Sequence, residues 1–172
     1  MRVVGGYCDE EAICKHCASR KGEKTCCEYI PGECLPTDFM GTRGKLDTKK
    51  MTDALKSGRY QIDWWEGSPP GFSGMFYGPY IRPSIKGTEG RLANPAHGGS
   101  SPCTFLSTNG CELPFKDRPF ICRAVEAKED ECELHAGSGH SKRVAARSWA
   151  MYHDELIAVE EEVEEWKTQE LF

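Results

Sequence analysis

Ten cysteines in 172 residues are the groups in this sequence best suited to chemistry, and seven of them fall into two sets: Cys14-x2-Cys17-x8-Cys26-Cys27 and Cys103-x7-Cys111-x10-Cys122. Clustered thiolates are soft donors that bind zinc or iron–sulfur clusters. An even cysteine count could instead describe a disulfide framework, which belongs to oxidising compartments. The chain begins Met1-Arg2-Val3-Val4-Gly5-Gly6-Tyr7-Cys8, without the apolar core of a signal peptide. No later run approaches the roughly 20 apolar residues of a membrane helix. These features predict a cytoplasmic protein with reduced thiols and no membrane contact. The doublet Cys26-Cys27 favours metal too, because neighbouring side chains diverge and a bond between them would be strained.

The elements that must position these cysteines are modest. A composition of 38% hydrophobic residues with 18 Gly and 10 Pro predicts one loop-rich domain with a small core, in which metal–thiolate bonds contribute to folding. The segment from Cys8 to Cys34 has few apolar residues and should take its shape from ligation. Asp47-Thr48 predicts a helix cap before Lys49 to Lys56, with Met51 and Leu55 on one face and Ser57-Gly58 as the stop. Tyr60 to Trp64 and Tyr80 to Ile85 read as half-buried strands, Pro83 restricting the second to an edge or an irregular stretch. Loops are expected over Gly67 to Gly74 and Gly87 to Pro102. The turn Thr108-Asn109-Gly110 should bring Cys103 and Cys111 together, and Asp117 should cap a helix running through Pro119, Cys122 and Val125. Cys122, near that helix start and beside Arg118 and Arg123, would favour the thiolate.

The C-terminal segment is a separate signal. From Ser141, read as a cap, to about Glu170 there is no Gly or Pro, and Ala145, Trp149, Tyr152, Leu156, Val159, Val163 and Trp166 recur at spacings of four and three. Lys142, Arg143 and Arg147 precede a run of glutamates, an order opposed to the helix macrodipole, so packing must compensate. The expected division is a cysteine-cluster domain over 1–140 with an amphipathic helix over 141–172 packed on it. A protein partner or self-association through the same seam is the alternative. The net charge of −5 argues against a nucleic-acid surface, which needs a basic stripe, and Lys15, Arg20, Lys21 and Lys24 read as a solvated patch.

The ordered combination of Cys14-x2-Cys17, Cys26-Cys27, Cys103-Thr104-Phe105-Leu106, Asn109-Gly110-Cys111 and Arg118-Pro119-Phe120-Ile121-Cys122-Arg123 resembles the YkgJ-like cysteine-cluster family, described as zinc- or iron-chelating domains. The likeness covers roughly residues 8 to 132, with Ala18 to Thr25 forming a longer spacer than the family uses. A relative of this domain occurs in flagellin lysine methylases, where the cysteines are understood to hold an iron–sulfur cluster. The methylase's additional sequence is missing here, so the resemblance implies the cluster and not the methyl transfer. It marks Cys14, Cys17, Cys26, Cys27, Cys103, Cys111 and Cys122 as metal ligands. A site drawing Cys14, Cys17 and one of Cys26 or Cys27 from the first set, and at least one of Cys103, Cys111 or Cys122 from the second, would clamp the two ends of the domain.

Four thiolates suit a cubane or a zinc equally, and the spacing matches neither bacterial ferredoxins nor a two-knuckle zinc ribbon. The reading favours a [4Fe–4S] cluster with a redox or enzyme-supporting role; the alternative is a zinc-stabilised interaction module within a larger assembly. Cys8, Cys34 and Cys132 lie outside the pattern and read as spare or simply buried thiols, Cys34 being the strongest exception because Pro31-Gly32-Glu33 turns the chain back after the doublet. His16, His97, His135 and His140 read as surface or second-shell side chains. No nucleophile with a paired base can be placed, so no catalytic residue is assigned. The expected fold is an irregular α+β domain: short helices, few short strands and a long C-terminal helix.

Overall fold

Asp47 starts the first helix as its position predicts, its carboxylate accepting the Lys50 amide at 3.1 Å. Helix α1 runs Thr48–Lys56 and turns Met51 and Leu55 into the core, both fully buried. It ends at Gly58, where φ is +71° and a Cβ would meet the Gly90 backbone at 2.9 Å, so only glycine fits the stop. The structure is a computed structural model that describes residues 31–67, 76–93, 102–108, 110–124 and 139–170. The readings on Ser68 to Gly74, on half of the second loop including His97, on Asn109, on Val125 and on His135 lie outside those residues. So do those on Lys15, Arg20, Lys21 and Lys24.

Strands β1 (Tyr60–Gly67) and β2 (Phe76–Pro83) form an antiparallel pair, Tyr60 opposite Pro83 and Gly67 opposite Phe76. β1 runs three residues past the expected segment, while β2 starts four residues before it and stops at Pro83 instead of Ile85, the proline closing the strand at its end, where its missing N–H interrupts no ladder. Alternation sends Ile62 and Ile81 to one face and Gln61, Asp63, Tyr80 and Arg82 to the other. The polar face is not solvated, contrary to what half-buried strands imply. Asp63 and Arg82 pair at 3.0 Å with side chains 1% and 0% exposed, and Gln61 and Glu33 are equally buried. An ion pair in that setting is costly to form and costlier to break.

A two-residue pair, β3 (Leu106–Ser107) with β4 (Gly110–Cys111), makes the expected reversal. The helix expected from Asp117 is shorter and starts differently. A 3-10 turn occupies Phe115–Asp117, and helix α2 spans only Phe120–Ala124. Its first amide is capped by Asp38, from 82 residues earlier, at 2.9 Å. Tertiary packing supplied a better acceptor than the local aspartate.

The C-terminal run is helix α3 (Gly139–Trp149), a 3-10 turn at Ala150–Tyr152, and helix α4 (His153–Glu170). Ser141 is buried inside α3 instead of capping it. The seam faces the core: Ala145, Trp149, Leu156, Val159 and Val163 are buried, and Tyr152 packs against them. α4 lies along α1, with Thr52 Oγ1 and Lys56 Nζ both reaching Glu162, and Lys56 over the Trp166 ring. α3 packs on the hairpin, where Trp149 meets Phe39 at 5.9 Å between ring centroids. The result is an α+β domain with a long C-terminal helical run. No helix among the described residues is long and apolar enough to cross a membrane.

Candidate metal centre

The far edge of β2 carries cysteine. At the Ile62–Ile81 pair the Ile62 amide donates away from β2, to Leu92 O, so Ile81 O faces the opposite edge and accepts the Cys34 amide at 2.9 Å. Two residues past the end of β2, Cys103 sits opposite Ile85, with Thr104 N–H donating to Ser84 O and Lys86 N–H to Pro102 O. Two segments remote in sequence are thus bonded to β2 and to the residues that follow it. β4 folds back over Leu106, so Cys111 returns toward Cys103.

Tyr60 reports where the thiols gather. Burial raises its phenol above the ordinary range, and the charges of Cys34, Cys103 and Cys122 would raise it further. Cys103 likewise feels Cys34 and Cys111. Of the sequence-predicted ligands, Cys103 and Cys111 meet at the β3–β4 reversal and Cys122 stands on α2. Cys14, Cys17, Cys26 and Cys27 lie outside the described residues, as do Cys8, Cys132 and His16. Among the described residues, no group of three His, Cys, Asp or Glu side chains could hold a metal ion.

Burial sets the protonation of these thiols. Cys103 is buried, and desolvation pushes its thiol up to about 12, although the Phe105 amide hydrogen-bonds its sulfur at 3.4 Å and opposes the shift. A metal cation would reverse that order, displacing the proton from sulfur. Cys34, only 1% exposed, is pushed well up by burial, with Asp38 and Glu33 adding to the effect. Both are free thiols. The arginines expected to favour a Cys122 thiolate are engaged elsewhere: Arg118 Nε donates to Leu113 O, while Arg123 holds Asp38 at 2.9 Å and donates to Arg118 O.

Two positioning residues escaped the sequence reading, and a third was read only as part of the helical seam. Asp38 accepts the Leu35 and Phe120 amides and the Arg123 guanidinium, fixing the Cys122 helix to the Cys34 segment. Arg59 stacks 4.0 Å above the Phe105 ring, donates to Thr104 O and pairs with Glu112 at 2.6 Å, locking the Cys103–Cys111 reversal to β1. Trp149 donates its indole N–H to Cys34 O at 3.0 Å. Only Trp149 had a signal, as part of the helical seam; the partners of Asp38 and Arg59 are too distant in sequence to leave one. Beside this end opens a cavity of about 370 Å³, walled by Cys34, Phe39, Ala54 and Tyr60. No family model, no curated protein and no solved structure matches this chain.

Proposed function

We propose that this protein binds metal through its cysteine thiolates, holding a [4Fe–4S] cluster in a redox or enzyme-supporting role in the cytoplasm. The observation that carries the reading is that Cys34, hydrogen-bonded to Ile81, and Cys103, bridged to Ile85, are tied to nearby residues although they are 69 positions apart, and that Cys111 pairs back beside the Cys103 turn. At least one of Cys103, Cys111 or Cys122 would supply a ligand from this side, and Cys14, Cys17 and one of Cys26 or Cys27 the remainder, as in the YkgJ-like pattern. When bound, such a cluster supplies one-electron transfer.

The protein's own groups serve that role in three ways. Burial of Cys103 keeps water from the sulfur, and the Phe105 amide stabilises negative charge on it. Arg59, 40% exposed where it pairs with Glu112, places a fixed positive charge near Cys103 and favours its thiolate. Asp38 and Trp149 anchor the segments on either side, so the sulfurs hold position without ligation having to order the chain alone.

Anaerobic purification followed by iron, zinc and acid-labile sulfide analysis tests the proposal. Brown protein with iron and sulfide in equal amounts supports it. Colourless protein with stoichiometric zinc supports the structural, interaction-module reading in its place, and protein without either metal contradicts both.

A further inference from the structure

Beside the buried polar face of the hairpin, one hydroxyl meets two acceptors. Thr88 Oγ1 lies 2.8 Å from Ile85 O and 3.0 Å from the side-chain oxygen of Gln61. A hydroxyl has a single hydrogen to donate, so at those distances one of the two contacts would set lone pair against lone pair. The backbone contact is the fixed one, because the Thr88 amide also donates to Ile85 O, at 2.9 Å. The Gln61 amide is free to turn, since its two ends are nearly equal in shape. Gln61 is fully buried, and its Nε2 has no hydrogen-bond partner among the described residues. An N–H left unpaired in that setting is costly.

Directly across the strand pair stands Arg82, on the same buried face. Its Nη2 meets Asp63 at 3.0 Å, while Nε and Nη1 have no acceptor among the described residues. An amide turned with its nitrogen to Thr88 carries its oxygen away from Thr88, and Arg82 is the neighbour that needs one. We propose that Gln61 and Thr88 are positioning residues for Cys103, joined in one chain of donors: Arg82 to Gln61 oxygen, Gln61 nitrogen to Thr88 Oγ1, and Thr88 to Ile85 O. Ile85 is the residue opposite Cys103. On either side of that bridge the Lys86 amide donates to Pro102 O and the Thr104 amide to Ser84 O, so holding Ile85 holds both ties to the cysteine segment. A fully satisfied buried chain of this kind specifies one geometry. The use of that geometry rests on the metal reading; the chain of donors does not.

Hydrogen–deuterium exchange of the full chain, resolved to single amides, tests it. Gln61→Glu keeps the shape and an oxygen for Arg82 but has no N–H for Thr88, and its carboxylate draws the Thr88 proton away from Ile85 O. Exchange at the Lys86 and Thr104 amides should become about fivefold faster in Gln61→Glu and in Thr88→Val, through easier local opening. Thr88→Ser, which keeps the hydroxyl, should match wild type. The Cys34 amide, bonded to Ile81 O on β2, should be unchanged in all three variants. Equal acceleration at Cys34 would make the effect a general loss of stability and overturn the proposal. So would unchanged exchange at Lys86 and Thr104 in either Gln61→Glu or Thr88→Val, or a Thr88→Ser variant that exchanges as fast as Thr88→Val. Metal-loaded Thr88→Val should also yield its metal to a chelator faster than Thr88→Ser does, and equal rates would overturn the link to Cys103. Wild-type protein without metal would contradict the metal reading, whereas the exchange pattern decides the chain of donors by itself.

Discussion

Along one border of β2, β1 runs for eight residues, and the hairpin they form packs against α1 and α3, with a core that continues through Leu55, Trp149, Leu156 and Val163. On the other border lies the Cys34 segment, and past the end of β2 the Cys103 segment, followed by β3, β4 and the short α2, with several long-range polar ties. The first region has the ordinary source of stability, burial of side chains against one another. The second is fastened by Asp38, Arg59 and backbone hydrogen bonds, and its buried polarisable groups are thiols. β2 thus joins the packed core to the segments whose cysteines carry the metal-binding proposal.

The comparison breaks most readily at the polar face of the hairpin. Asp63→Ala strands Arg82 as an uncompensated buried cation and should cost about 3–5 kcal/mol in urea unfolding. Loss of less than about 1 kcal/mol would mean that Arg82 has adequate alternatives. Next comes Leu156→Ala, which empties a fully buried site between α4 and the core and should cost about 2–5 kcal/mol. The same variant should leave metal content per folded molecule unchanged, because the cysteine edge does not rest on that contact. A parallel loss of metal would merge the two regions into one. Asp38→Ala removes three hydrogen bonds to one carboxylate and should cost about 1–3 kcal/mol, but here metal retention should fall as well, since α2 and Cys122 lose their anchor.

The smallest effect is the share that Cys103 contributes to an alkaline pH dependence, to which the buried Tyr60 and Tyr80 also add. Cys103 has its thiol pushed from 9.0 to about 12 in the folded protein, so the folded state holds a proton that the unfolded chain releases. That contribution is complete below pH 9.0 and is lost as pH rises toward about 12. Metal-free protein should therefore lose stability over that interval, and Cys103→Ala should flatten the slope; equal slopes in both proteins would remove Cys103 as its source. Metal-bound protein should lack the Cys103 share, because its sulfur carries no proton to release.

The core was largely legible in the sequence. Helix α1 announces itself through Asp47, Met51, Leu55 and Gly58, all within twelve residues, and the seam from Ala145 to Val163 shows its buried face by periodicity alone. Local signals also gave the reversal between Cys103 and Cys111. What escaped depended on distant partners. Nothing near Asp38 says that it caps a helix beginning at Phe120, and the pattern of β1 cannot say that Gln61 and Asp63 will be covered. Cys34 reads as a spare thiol because its neighbours on the β2 edge are contributed by chain 69 residues away. The 3-10 turn at Ala150–Tyr152 leaves the seam in place, and no breaker residue marks it.

Side-by-side metal and sulfide analysis of anaerobically purified wild-type protein and Cys103→Ser, Cys111→Ser and Cys122→Ser variants tests the central claim most directly. Iron and labile sulfide of about four each per wild-type chain are expected. At least one variant should show a marked loss of both, with the Leu156 core still folded by near-ultraviolet circular dichroism. Wild-type protein that carries no metal, or three variants that all keep the full complement, would contradict the assignment of these cysteines to a cluster.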